Sequence, residues 1–181
     1  MQELMDAHAA VGGQGPGRRV GTAQLNWSMV LRLAGEFQGF ARDLHDLGVD
    51  YLVQSIAPPG SPLASTLQVN LTLKRDLDRG NAQPGSLGND FLRFGFQIWP
   101  ALAQKNPRSA QWNKSLEALN KARNAIAHAE DHKLKVLAAD GYPMHLRTIR
   151  TWRSHLNSLA GHMDMVVADS LAVLTGKGAP W

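Results

Sequence analysis

Val30-Leu31-Arg32-Leu33-Ala34-Gly35-Glu36-Phe37-Gln38-Gly39-Phe40-Ala41-Arg42-Asp43-Leu44-His45-Asp46-Leu47-Gly48-Val49-Asp50-Tyr51 sets Val30, Leu33, Phe37, Phe40, Leu44, Leu47 and Tyr51 at alternating steps of three and four. That is the spacing of one apolar seam along an α-helix, and no proline interrupts it. It predicts a long helix over 24–54, stopped by Pro58-Pro59-Gly60. The same rhythm returns in Leu146, Ile149, Trp152, Leu156, Leu159, Met163, Val166 and Val167, predicting a second long helix that runs to about Leu174 and ends at Thr175-Gly176-Lys177-Gly178. Between the two, Ser61 or Pro62 opens a helix over 63–78 with Leu67, Leu71 and Leu77 inward. A turn-rich stretch follows over 79–90, long enough to be weighed as a functional loop against a plain surface connection. Next come a helix over 91–100, capped by Ser86 or Asn89 and kinked or ended by Pro100, and a helix over 111–129. The aromatics of 91–100 read as core rather than as a base-stacking platform. With a turn at Asp140-Gly141-Tyr142-Pro143 and no strand run or internal repeat, the expected architecture is an all-α up-and-down bundle of about five helices, two of them long.

A chain of 181 residues is expected to form one domain, here 23–181, able to bury about 70% of its unfolded surface. Residues 1–22 hold few large apolar side chains, and Gly12 to Arg19 cannot offset their own ordering entropy, so this segment reads as a mobile tail. The acidic opening Met1 to Asp6 does not have the basic start and apolar core of a secretory leader, and no apolar run has the length of a membrane span. The absence of cysteine excludes disulfide and thiolate chemistry. A cytoplasmic protein is the default expectation.

The net charge of +4 is unevenly spread: residues 105–153 carry ten Lys/Arg against four Asp/Glu, whereas residues 1–104 carry eight against nine. Attraction to a polyanion and a solvated face kept soluble by lysines explain that excess equally well. At its centre stands Asn120-Lys121-Ala122-Arg123-Asn124-Ala125-Ile126-Ala127-His128-Ala129-Glu130. At about 100° per residue, Leu116, Leu119, Ala122, Ile126 and Ala129 share one stripe, and Asn113, Asn120, Asn124 and His128 share another on roughly the opposite side. Asn124 and His128 are i,i+4 neighbours, so the amide is placed to fix the imidazole tautomer. Arg123 and His128 diverge by roughly 140°, so one helix does not aim both at one atom, whereas two copies of it do.

Arg123-Asn124-Ala125-Ile126-Ala127-His128 resembles the Arg, polar residue, three others, His signature of the HEPN superfamily (higher eukaryotes and prokaryotes nucleotide-binding domain), placed between a long opening and a long closing helix as in that superfamily. The fold resemblance covers 24–176. It implies a helical bundle, homodimerisation through the motif helix, and metal-independent endoribonuclease activity, with no cofactor, in a toxin or defence setting. It also implies proton transfer by His128, phosphate stabilisation by Arg123, and orientation of His128 or a phosphate contact by Asn124. Asn120, Lys121, Arg147 and Arg150 become candidate RNA contacts. In HEPN toxins neutralised by a nucleotidyltransferase antitoxin, a tyrosine commonly lies two places after the motif histidine; Glu130 stands there, which argues against such an antitoxin. The alternative function is a non-catalytic HEPN module binding RNA, nucleotide or a protein partner.

The residue types suit the chemistry. Histidine titrates near neutrality and serves as base or acid, while arginine offers paired donors to phosphate oxygens. The bland reading pairs Arg123 with Glu130 or Asp131 and leaves His128 to complement a helix dipole. His155, His162 and Asp164 read as framing the last helix's seam rather than as metal ligands. No His-Glu-x-x-His, Glu-x-x-His or GxxxxGK[ST] pattern occurs, which leaves a zincin, a di-iron bundle or a P-loop NTPase without its residues. Arg147, Arg150 and Arg153 step by three beside Trp152 as a basic ridge.

Overall fold

The opening seam is realised in a helix of 37 residues, and the closing seam in one of 30. The computed structural model describes residues 1–12 and 20–181, and among them nine α-helices and one 3-10 turn, with no strand. In order these are α1 (Gln2–Gly12), α2 (Val20–Ile56), α3 (Pro62–Thr72), α4 (Asp76–Arg79), α5 (Pro84–Phe91), the 3-10 turn Leu92–Phe94, α6 (Ile98–Lys105), α7 (Ser109–Ala127), α8 (Asp131–Ala139) and α9 (Leu146–Thr175). The described residues are therefore all-α, with nine helices where about five in all are expected, the additional ones short. No described helix is long and apolar enough to cross a membrane.

α2 and α9 run parallel. Asn26 near the start of α2 donates to the Met144 carbonyl just before α9 (2.9 Å), and Tyr51 near its end donates to the Gly178 carbonyl just after α9 (2.7 Å). α7 is antiparallel to both: Trp112 packs on His162, and three residues further along α7 Ser115 bonds His155, seven residues earlier on α9. The three helices close on one core that includes Met29, Leu116, Leu119, Ile149, Trp152, Leu156 and Leu159, all essentially sealed from water. The closing seam is buried from Ile149 to Val167, with Leu146 at its start only partly covered. In the opening seam Leu47 is 55% exposed, because the inward row passes through Gly48, where the ring of Phe94 comes so close that a Cβ would lie 3.0 Å from its Cζ.

The middle segment departs from the reading for reasons of capping. The helix expected over 63–78 is broken by Lys74 at φ 57°, and each new end has a distant cap. Arg93 Nη1 donates to the carbonyls of Asn70, Leu71 and Leu73 at the end of α3, and the Asp90 carboxylate accepts from the N–H groups of Asp76 (3.0 Å) and Leu77 (2.8 Å) at the start of α4. Most of the expected loop over 79–90 is helical: Pro84 occupies the first turn of α5, where a missing N–H costs nothing. Pro100 likewise sits in the first turn of α6 and opens that helix instead of ending one. Asp131–Ala139, not resolved from its surroundings by periodicity, forms α8.

Beneath these short helices lies a polar cluster, buried at His45, Arg75 and Asp90 and open to solvent at Asp46 and Asp78. Arg75 forks onto Asp78 through Nε (3.0 Å) and Nη2 (3.1 Å), and its Nη1 meets Asp46 and donates to His45 Nδ1 (2.9 Å). Since His45 Nδ1 accepts, its proton sits on Nε2 and is donated to the Asp90 carbonyl (3.1 Å). The imidazole is wholly buried between Phe91 and Phe94, and burial, with Arg75 at its other face, drives its pKa down to about 4.

At the N-terminus, residues 2–12 form a helix where a mobile tail is expected. Met5 is buried, and Arg153 of the basic ridge turns toward it, with Nη1 3.3 Å from Met5 Sδ and 3.4 Å from Gln2 Oε1. Met5, with Met1 and Leu4 packed beside it on the core and the N-terminal amine on Glu36, supplies what the composition of the segment as a whole does not suggest. Residues 13–19 lie outside the described residues.

Candidate functional site

α7 ends where the motif does, and its ending is built from backbone. The Ala129 N–H bonds the Ile126 carbonyl (3.2 Å) and the Glu130 N–H bonds the Ala125 carbonyl (2.8 Å), the paired closure of a Schellman cap with His128 as the last half-helical residue. Such a cap needs a left-handed residue after the C-cap, and Ala129 supplies it at φ 54°. α8 closes identically through Gly141 at φ 89°, with Gly141 bonded to Ala138 and Tyr142 to Leu137. Glycine adopts that conformation without cost and alanine does not. Ala129→Gly is accordingly expected to stabilise the fold by about 1 kcal/mol and raise the melting temperature by about 2–4 °C. Thermal unfolding followed by circular dichroism checks this, and a lower melting temperature would contradict the cap assignment.

The motif side chains stand around this end. Asn124 Oδ1 accepts from Arg123 Nη1 (3.1 Å) and from Asn81 Nδ2 (2.7 Å). The amide expected to orient His128 is thus committed to Arg123 and Asn81; only the Asn124 backbone carbonyl touches His128, accepting its N–H at 3.0 Å. Arg123 is half-buried and has no carboxylate partner among the described residues, because Glu130 pairs instead with Lys133 (2.8 Å). His128 is exposed, and its ring makes no hydrogen bond among the described residues.

Asn81 was not singled out from the sequence, and it arrives through a chain of backbone contacts. Gln38 on α2 donates to the Gly80 carbonyl (2.6 Å) and Arg42 to the Leu77 carbonyl (2.8 Å). Asn120 donates to the Ala82 carbonyl (3.0 Å) and to Leu116 (2.9 Å). Together these hold residues 80–82 across α7 beside Asn124. Asn120, expected as an RNA contact, is therefore buried and structural: its amide is spent on backbone oxygens. A turn-rich stretch followed by asparagines on a helix was the available signal for this contact, but periodicity does not pair distant segments.

The other candidate RNA contacts are scattered along the basic face. Lys121 is exposed and bound to Glu117 (2.8 Å), which raises its pKa through a hydrogen bond and charge attraction. Arg147 and Arg150 are exposed and unpaired among the described residues. Among those residues no group of three or more His, Asp and Glu side chains converges in a way that would hold a metal ion. His155 and His162 do face the seam, as read: His162 donates from Nδ1 to the Ser158 carbonyl (2.8 Å) and accepts from Asn106 (3.2 Å). The chain matches no protein-family model, no curated protein and no solved structure.

Proposed function

We propose that this chain is a HEPN-like bundle acting as a metal-independent endoribonuclease, with a composite active site formed where two copies of α7 meet. One observation carries the proposal: at the end of α7 an arginine without a carboxylate partner among the described residues and an exposed histidine whose ring has no hydrogen-bond partner among them stand five residues apart, the histidine at a strained backbone cap. The bland alternative required Arg123 to be neutralised by Glu130 or Asp131, and Glu130 is engaged by Lys133. A guanidinium with most of its donors unused suits the developing charge of a phosphorane, and an exposed imidazole suits proton transfer to or from a ribose oxygen. Asn124 then acts as a positioning residue, fixing Arg123 against the Asn81 turn. Because Arg123 and His128 diverge around the helix, a two-fold dimer supplies the arginine of one protomer and the histidine of its partner.

Under this reading RNA cleavage persists in EDTA and leaves 2′,3′-cyclic phosphate and 5′-hydroxyl ends. Activity that depends on Mg²⁺ and leaves 5′-phosphates would remove His128 and Arg123 from the assigned roles. The second reading, a non-catalytic module that binds RNA, nucleotide or a protein partner at the same face, draws on the fact that no side chain among the described residues orients the His128 ring. Tight RNA binding without turnover would favour it. A toxin or defence role, with RNA as target and Glu130 arguing against a nucleotidyltransferase antitoxin, belongs to the same proposal.

A further inference from the structure

About 20 Å back along α7 from His128, the helix and the start of α9 enclose an open groove of about 490 Å³. Lys114, Ser115, Tyr142, His145, Arg147 and Trp152 line it, with His155 at its side, and no carboxylate is among the lining residues. Neither Lys114 nor Arg147 has an ion-pair or hydrogen-bond partner among the described residues, whereas the nearby Lys121 is already matched by Glu117.

Three polar features lie in the walls of the same groove. The first turn of α9 begins after His145, whose side chain makes no capping bond, so the leading N–H groups of a 30-residue helix are unmet there. Ser115, 4% exposed, hydrogen-bonds His155 Nδ1 at 2.7 Å within the wall. Trp152 stands in that wall, stacked on Tyr142, and its indole N–H, sealed behind the groove surface, has no acceptor among the described residues. A buried donor without a partner is costly and rare, and here it borders a groove with unpaired positive charge.

We propose that this groove is a second binding site, separate from Arg123 and His128, for the phosphoryl dianion of a phosphate monoester. Two unpaired cations and a helix start match a doubly charged group better than the single charge of an internal phosphodiester. Such a group comes either from a small phosphate ester or from the 5′-phosphate of an RNA chain. The proposal stands whether or not the protein cleaves RNA.

The test uses the full chain at constant ionic strength, following the amide resonances of Arg147 and Thr148 and the indole N–H resonance of Trp152. Inorganic phosphate and adenosine 5′-monophosphate should each shift these signals saturably. Lys114→Ala and Arg147→Ala should each weaken binding about tenfold or more, while Lys133→Ala, which removes a cation paired elsewhere, should not. A 5′-phosphorylated oligoribonucleotide that shifts the signals more strongly than its 5′-hydroxyl twin assigns the site to RNA ends. Equal responses to the two oligonucleotides, with adenosine 5′-monophosphate still bound, assign it to small esters. No saturable response to phosphate, or wild-type affinity in the Lys114→Ala, Arg147→Ala double variant, overturns the proposal.

Discussion

His128→Ala is expected to slow RNA cleavage by about 10²-fold or more while leaving RNA binding nearly unchanged, since general acid–base catalysis contributes on that scale and the ring has no packing role to lose. Arg123→Ala is expected to be similarly inactive. Mixing the two inactive variants is the more telling experiment. If each active site takes its arginine from one protomer and its histidine from the other, random exchange makes half the dimers mixed, each with one intact site, and about a quarter of wild-type activity returns. If both groups act within one protomer, mixing restores nothing. That outcome, or a protein that stays monomeric at concentrations where it cleaves RNA, rules out the composite site. Exposure of His128 at a helix end makes the substitution structurally mild, so lost activity would not reflect lost fold.

Acid should unfold this protein earlier than its carboxylates alone would dictate. His45 titrates at about 4 when folded and near 6.5 when unfolded, so below pH 6.5 the unfolded chain takes up a proton that the folded chain refuses. Stability is flat above that point and falls as pH drops from 6.5 toward 4, by about 3 kcal/mol in all. His155, also pushed down by burial, adds in the same direction. Glu36 begins to add only below the ordinary glutamate range; burial opposes its shift, but Arg32 and the N-terminal amine hold its pKa down. Urea denaturation at pH 7 and at pH 4.5 measures the drop. His45→Leu should be less stable at pH 7, having lost its bond to the Asp90 carbonyl and stranded an Arg75 donor, yet show a much shallower slope between the two pH values. An equally steep slope in that variant would show that the acid sensitivity lies elsewhere.

What could be read in advance follows from the range of the interactions involved. Seams in α2, α7 and α9 repeat every three or four residues, so Leu33, Leu119 and Trp152 announce their burial within a few turns. The breaks around α3 to α6 do not, because their caps come from Arg93 and Asp90, some 13 to 23 residues away. Pro84 and Pro100 each satisfy two local rules, ending one helix or opening another, and only tertiary packing chooses. At the site, Arg123 and His128 were visible as residue types. The Asn81 contact was not, since it depends on Gln38, Arg42 and Asn120 holding a turn across α7. Asn120 was misplaced for the same reason: an asparagine on a polar stripe and an asparagine serving buried carbonyls look alike in sequence.

The parallel pairing of α2 with α9 bears on how the chain is made. Asn26 meets Met144 across 118 residues and Tyr51 meets Gly178 across 127, so the inward row of α2 is only partly covered, by α7 and the short helices, until α9 has been made. Contacts of such long separation slow folding, and during synthesis Leu33, Phe37 and Leu44 remain available to any passing apolar surface. A nascent chain halted before Trp152 therefore lacks the centre of its core and leaves apolar surface open to chaperones and proteases until α9 packs in place.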